Sequence, residues 1–101
     1  MPTTKSKAEN EIDRTEILRY LKECGLQPVT PRSLQIYLDD SLRPVSEEGI
    51  GFHLRYMRDR GWVELGMQKR VGSQEFIQWA RITADGVDEF DRRAKVLGEG
   101  R

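Results

Sequence analysis

The chain contains one cysteine, Cys24, and one histidine, His53, among 101 residues. A single cysteine excludes a disulfide framework, and the two residues together are too few for a Cys/His zinc site or a convincing nucleophilic pair. Long apolar runs are also lacking. The longest is Ile36-Tyr37-Leu38, far short of the roughly 20 residues that cross a bilayer. The expectation is no membrane segment, no secretory signal and, by default, a cytoplasmic location. No sign of charge predominates. Lys plus Arg number 17 and Asp plus Glu number 17, so the formal net charge is zero, which excludes a protein that coats nucleic acid by bulk charge. No phosphate-binding loop is present, because Gly49-Ile50-Gly51 follows no strand. The acid pairs Asp39-Asp40 and Glu47-Glu48 are neighbours in sequence, so on a helix they diverge and form no catalytic dyad. Asp85, Asp88, Glu89 and Asp91 cluster where a helix start would use them against its dipole. No enzyme, metal or cofactor chemistry is expected.

What is present fits one small domain. Met1 to Asn10 holds almost nothing to bury and is expected to be a disordered lead-in, residues 1–10. From Ile12 the pattern is helical. Ile17, Leu18, Tyr20 and Leu21 form an apolar stripe beside the row Ile12, Glu16, Arg19 and Glu23, and Gly25 closes the helix. Thr30 and Pro31 then open a second helix carrying Leu34, Tyr37 and Leu38. Ser46 opens a third, with Ile50, Leu54 and Met57 at i, i+4, i+7, and Gly61 stops it. The period then shortens: Val63, Leu65 and Met67 alternate as in a strand, Gln68 to Gln74 reads as a hairpin loop, and Phe76 to Ile82 as the returning strand. The alternation in that strand leaves the side of Trp79 open. Thr83 caps a last helix with Val87, Phe90, Ala94 and Leu97 spaced by three and four. The expected fold is mainly α with a β-hairpin, in the order helix, helix, helix, hairpin, helix. It spans residues 11–97 and is followed by a frayed tail, 98–101. Leu18, Leu21, Leu34, Leu38, Ile50, Leu54, Met57 and Val63 are the expected shared core.

Three helices followed by a two-stranded hairpin resemble the winged helix-turn-helix arrangement. The local residues agree. Val45-Ser46, Ile50, His53-Leu54, Met57 and Gly61-Trp62-Val63-Glu64 resemble the third-helix and first-wing signature of ArsR and MarR type bacterial regulators. Ile82-Thr83-Ala84-Asp85-Gly86 resembles their entry to the last helix. The spacing from Leu34 through Ser46 to Gly61 is also similar to small ArsR-like proteins of Mu-like phages. The resemblance covers roughly residues 12–94. It implies a prokaryotic or phage transcriptional regulator that binds double-stranded DNA, with the third helix in the major groove and the hairpin as a wing. The cysteines with which ArsR proteins sense metals are missing, so metal response is not implied.

Removing the core positions from the third helix leaves Glu47, Glu48, Gly51, Phe52, Arg55 and Arg58 outward or nearly so. Phe52 is equally compatible with an outward face and with the core. The wing tip would place Lys69 and Arg70 beside phosphates or the minor groove. The hairpin segment 62–83 is the only one with net positive charge, three basic against two acidic groups. Folding could gather Arg32, Arg55, Arg58, Lys69 and Arg70 on one face. Glu47 and Glu48 count against a polyanion, although a glutamate can accept from cytosine N4. The candidate DNA-binding residues are therefore Arg32, Glu47, Gly51, Phe52, Arg55, Arg58, Lys69 and Arg70. The alternative partner is another protein, and a continuous positive face would favour DNA whereas a mixed or acidic one would favour protein. Val87, Phe90, Ala94 and Leu97 could form a homodimer or equally close the monomer's own core.

Overall fold

The computed structural model describes residues 5–98, so the first four residues of the expected lead-in and the last three of the expected tail lie outside the described residues. Helix α1 (Lys7–Cys24) begins inside the stretch expected to be disordered. The cause is a reciprocal cap. The Ser6 hydroxyl accepts from the Glu9 N–H at 3.2 Å, and the Glu9 carboxylate accepts from the Ser6 N–H at 3.3 Å, which satisfies two otherwise orphaned donors. Lys5 adds an anchor, donating to Asp13 at 2.7 Å and to the Pro44 carbonyl at 3.2 Å. Few apolar residues are involved, so composition alone conceals this order.

Helix α2 (Pro31–Asp40) starts on Thr30 as N-cap with Pro31 in its first turn, and α3 (Glu47–Asp59) starts on Ser46, whose hydroxyl accepts from the Gly49 N–H. The turn between them carries Leu42 at φ 61°, in the left-handed region. Gly61, at φ 80°, turns the chain from α3 into β1 (Val63–Lys69). Strand β2 (Phe76–Ile82) returns antiparallel, with Val63 opposite Ile82 and Lys69 opposite Phe76. Val29 exchanges two backbone hydrogen bonds with Ala80, at 2.7 and 2.8 Å, and so ties the loop before α2 to the outer side of β2. Helix α4 (Ala84–Val96) starts on Thr83, whose hydroxyl accepts from the Gly86 N–H and donates to the Gly61 carbonyl.

One core forms where the helices cross. Ile17, Leu18 and Leu21 of α1, Leu34 and Leu38 of α2, and Ile50, Leu54 and Met57 of α3 are all essentially inaccessible. Val63, Ala80 and Ile82 close it from the hairpin, and Phe90 and Ala94 from α4. Every residue expected in the shared core is there. The α4 stripe divides: Phe90 and Ala94 are each 8% exposed and belong to the monomer's own core, Val87 is half-buried, and Leu97 remains exposed.

The hairpin differs from expectation in two ways. Its loop is shorter than Gln68 to Gln74, because Gln68 and Lys69 pair with Ile77 and Phe76, leaving 70–75 as the connection. In this part of the ribbon Gln68, Lys69 and Phe76 are exposed and Ile77 is half-buried, so pairing there needs no apolar alternation and none is visible. Met67 is likewise 59% exposed, although it shares a face with Val63 and Leu65. Trp79 lies on the opposite face, across from Gly66. A Cβ at Gly66 would overlap the indole, so glycine is what lets the ring lie flat on the strand.

Candidate nucleic-acid interface

Helix α3 buries Ile50, His53, Leu54 and Met57. At 100° per residue, the side opposite them carries Glu48, Phe52, Arg55 and Asp59 in one row, flanked by Glu47, Gly51 and Arg58. Glu47, Glu48, Arg55 and Arg58 are exposed, Gly51 is half-buried, and Phe52 is 51% exposed. Phe52 therefore belongs to the outward face. Its ring is backed by the Arg14 guanidinium, 5.7 Å from the centroid, and meets the His53 ring edge-on at 5.6 Å.

The charged groups on this face are not equivalent. The Arg55 side chain has no hydrogen bond or ion pair among the described residues. It folds back over Gly51, where an added Cβ would stand 3.2 Å from the guanidinium. Gly51 thus leaves room for the Arg55 guanidinium. Arg58 is engaged with its neighbour Asp59, at 3.3 and 3.4 Å. Glu47 and Glu48 are unpaired among the described residues. On the hairpin, Lys69 is unpaired among the described residues, whereas Arg70 lies 3.7 Å from Glu75. Arg32, on α2, is exposed and likewise unpaired among the described residues. The face is thus mixed in sign rather than a continuous positive band.

The structure gathers Glu47, Glu48, Gly51, Phe52 and Arg55 along one open concavity of about 1060 Å³, whose far wall is Lys5 and Asn10 at the start of α1. Lys69 and Arg70 line a separate hollow at the hairpin tip, and Arg32 borders neither. At the tip, the Arg70 N–H donates to the Glu75 carbonyl at 2.9 Å and the Ser73 N–H to the Arg70 carbonyl at 3.1 Å. Val71 stands 97% exposed between them.

Behind α3 lies a polar cluster that the sequence pattern did not bring out. Asp13 and Arg14 of α1 are buried, at 0% and 5% exposure. Asp13 accepts from Lys5 at 2.7 Å and from Arg43 at 2.8 Å, which fastens the α2–α3 turn to α1. Arg14 donates from Nε to His53 Nδ1 at 3.2 Å and from Nη1 to Glu11 at 3.3 Å. It also lies over Tyr56, 3.6 Å from the ring centroid. Burial, then the Arg14 cation, lowers the His53 pKa to about 4; its Nδ1 is therefore a neutral acceptor. The same stacking continues outward, with Arg60 over Tyr56 at 4.7 Å and Arg93 over Trp62 at 5.1 Å. Arg14, Ile17 or Leu18, and Leu21 follow helical spacing, so position alone pointed inward at Arg14, while its polarity pointed out.

No group of His, Cys, Asp or Glu side chains among the described residues is arranged to hold a metal ion. None of their helices is long and apolar enough to cross a membrane.

A three-helix body with a paired two-stranded hairpin following its third helix, and a fourth helix laid on the first, is a winged helix-turn-helix. Solved structures share it. A protein of Thermoplasma acidophilum assigned as a transcriptional regulator superposes with a TM-score of 0.78 at 19% identity, over 94% of this chain and 87% of that one. A PadR-like transcriptional regulator from Bacillus cereus gives 0.68 at 18% identity, over 92% and 90%. Wild-type MarR from E. coli gives 0.63 at 16% identity, over 84% and 56%. No protein-family model matches the chain, and no curated protein matches it.

Proposed function

We propose that this protein is a double-stranded DNA-binding transcriptional regulator that inserts α3 into the major groove and rests its hairpin on the backbone as a wing. The observation that carries this is Arg55, a guanidinium unpaired among the described residues on the outward row of the third helix of a winged-helix fold, with Gly51 leaving room for it. A guanidinium so placed matches the N7 and O6 acceptors of guanine. Lys69, unpaired among the described residues, and Arg70 would meet phosphates or the minor groove and add affinity without sequence information. Arg32 would add a backbone contact from α2. The motif from Val45 to Glu64 supports a narrower assignment within this class, an ArsR-like regulator of a prokaryote or its phage.

The regulator acts as a homodimer in this proposal, which suits half-sites one helical turn apart. Because Phe90 and Ala94 are committed to the monomer core, the second copy would meet the outer end of α4. Val96 and Leu97 are 77% and 61% exposed there and lie along one hollow with Ile12 of α1, itself 45% exposed.

A specific observation also favours the second reading, a winged helix that binds another protein: the mixed charge of the α3 face, with Glu47 and Glu48 unpaired beside Arg55. A fluorescence-anisotropy titration of random-sequence duplex DNA separates the two. DNA binding predicts association at low salt that weakens as salt rises, with Kd in the region of 10⁻⁴ to 10⁻⁶ M at physiological salt. Absence of binding at low salt would transfer the assignment to the protein-binding reading.

A further inference from the structure

The outward row of α3 presents an acceptor, an apolar ring and a donor fork in sequence: Glu48, Phe52 and Arg55. Glu48 and Phe52 stand one turn apart, so their Cβ atoms are about 5–6 Å from each other. Phe52 is half exposed, yet its inner side is occupied by Arg14 and by the edge of His53. A ring backed on its inner side presents its outer side as an apolar surface. Glu48 has no partner among the described residues and lies along the same concavity.

In the major groove a carboxylate can accept only from cytosine N4 or adenine N6, since every other polar base atom there is itself an acceptor. The two donors differ in their neighbours. Beside adenine N6 lies N7, an acceptor that repels a carboxylate. Beside cytosine N4 lies the apolar C5 edge. An acceptor flanked by a phenyl ring complements the second pattern. We infer that Glu48 and Phe52 together read one cytosine, Glu48 accepting from N4 and Phe52 covering the C5 edge, while Arg55 reads a neighbouring guanine. Glu47 is placed differently, since the residue one turn beyond it is Gly51, which offers no apolar surface. This inference rests on the DNA-binding reading above and gives the acid a task there: it lowers overall affinity for a polyanion and raises discrimination. A methyl group on C5 enlarges the contact with Phe52, so 5-methylcytosine binds more tightly at that position than cytosine.

The experiment uses the full chain. A preferred duplex is selected from a random pool by the wild-type protein, and anisotropy titrations then compare its single-base variants for wild type, Glu48→Gln, Glu47→Gln and Phe52→Ala. Wild type prefers cytosine at one position by about tenfold. Glu48→Gln, an exposed isosteric change that removes one first-turn acid and lowers the thermal melt only slightly, loses that preference or shifts it toward adenine, while Glu47→Gln keeps it. 5-Methylcytosine there improves wild-type binding at least about twofold, and Phe52→Ala removes the gain. A wild type that selects a duplex but shows base preferences unchanged by Glu48→Gln overturns the inference and leaves DNA binding intact. A methyl gain that persists in Phe52→Ala overturns the role of Phe52. Failure of wild type to retain any duplex overturns DNA binding itself, and the inference with it.

Discussion

The guanidinium of Arg14 lies 3.6 Å from the ring centroid of Tyr56, joining α1 to the outward-facing helix across a buried contact. A charge at 5% exposure is normally costly. Here it is offset by its neighbours: His53 Nδ1 and Glu11 accept from it, and the Tyr56 and Phe52 rings lie 3.6 and 5.7 Å from it. Only a planar fork serves both functions, so lysine is not an equivalent. Arg14→Met should lower unfolding free energy by about 3 kcal/mol, combining a lost desolvated cation–π contact with an unpaired buried His53 nitrogen. Arg14→Lys should recover less than half of that. Urea unfolding of the three proteins checks it, and a wild-type midpoint for Arg14→Met would show that the contact carries no stability.

His53 makes stability depend on pH. Its folded-state pKa is lowered from 6.5 to about 4, first by burial and then by the Arg14 cation, against the opposing pull of Asp13. Lys5 and Glu11 act on it more weakly and in opposite senses. The unfolded chain therefore binds a proton near pH 6.5 that the folded chain refuses until about pH 4. The contribution of His53 is constant above pH 7 and is lost as pH drops through this window, by about 3 kcal/mol at pH 4. The carboxylate of Glu89, whose pKa is lowered chiefly by its hydrogen bond from Arg92, contributes a loss of the same sign at still lower pH. Thermal melts from pH 7.5 to 4.5 should thus show a steeper decline for wild type than for His53→Gln. Parallel curves would mean that His53 is not the group titrating.

Much of the fold was legible in the residues because periodicity, caps and glycines agreed. Thr30, Ser46 and Thr83 announced three helix starts, and Leu54 with Met57 named the inner side of α3. Three features escaped for separate reasons. The start of α1 is held by Ser6 and Glu9, a polar device in a segment with no apolar period. The outer hairpin pairs with most of its side chains exposed, so it requires no alternation and Gln68 and Lys69 read as loop. Asp13 and Arg14 carry charge, and only three-dimensional placement supplies the partners that make their burial tolerable. Within the interface, the outward placement of Arg55 was legible, but the pairing of Arg58 with Asp59 and of Arg70 with Glu75 depends on side-chain geometry. The periodicity of α3 suits Phe52 on either side; it faces outward because Arg14 and His53 occupy the space behind its ring.

Gly86 sits where two effects compete. It occupies the first turn of α4, where alanine would gain about 1 kcal/mol in helix propensity. A Cβ there, however, would overlap the Trp62 carbonyl oxygen and crowd Ile82. Backbone cannot yield as a flexible side chain can, so the overlap should dominate. Gly86→Ala should destabilise by about 1–3 kcal/mol. An unchanged or raised melting temperature would show that α4 shifts freely on the hairpin base.

Leu42 is 89% exposed and holds a positive φ in the turn between α2 and α3. A β-carbon in that region costs roughly 1–2 kcal/mol, while glycine accepts it at a smaller cost in unfolded-chain entropy. Leu42→Gly should raise stability by several tenths of a kcal/mol up to about 1, with the turn length unchanged. Differential scanning calorimetry checks the direction, and a clear loss would mean that the leucine side chain supports the turn.

The cations expected to hold DNA divide into two groups by their present partners. Arg55 and Lys69 are unpaired among the described residues, whereas Arg58 bonds Asp59 and Arg70 lies beside Glu75. The second pair are exposed contacts worth no more than about 1 kcal/mol, so they can open. Each nevertheless carries its acid toward the same phosphates, and the local charge of Arg58 with Asp59 or of Arg70 with Glu75 is close to zero. Arg55→Ala should therefore cost about 1–3 kcal/mol on a selected duplex and relax the preference at one base pair. Lys69→Ala should weaken selected and random duplexes alike and reduce the salt slope by about one. Arg58→Ala and Arg70→Ala should each cost less than either, and Asp59→Asn should tighten binding by freeing Arg58. The titrations are run at two salt concentrations on both duplexes. A loss in Arg58→Ala equal to that in Arg55→Ala, with Asp59→Asn neutral, would mean that the ion pair does not restrain Arg58 and that the whole outward side of α3 contacts DNA evenly.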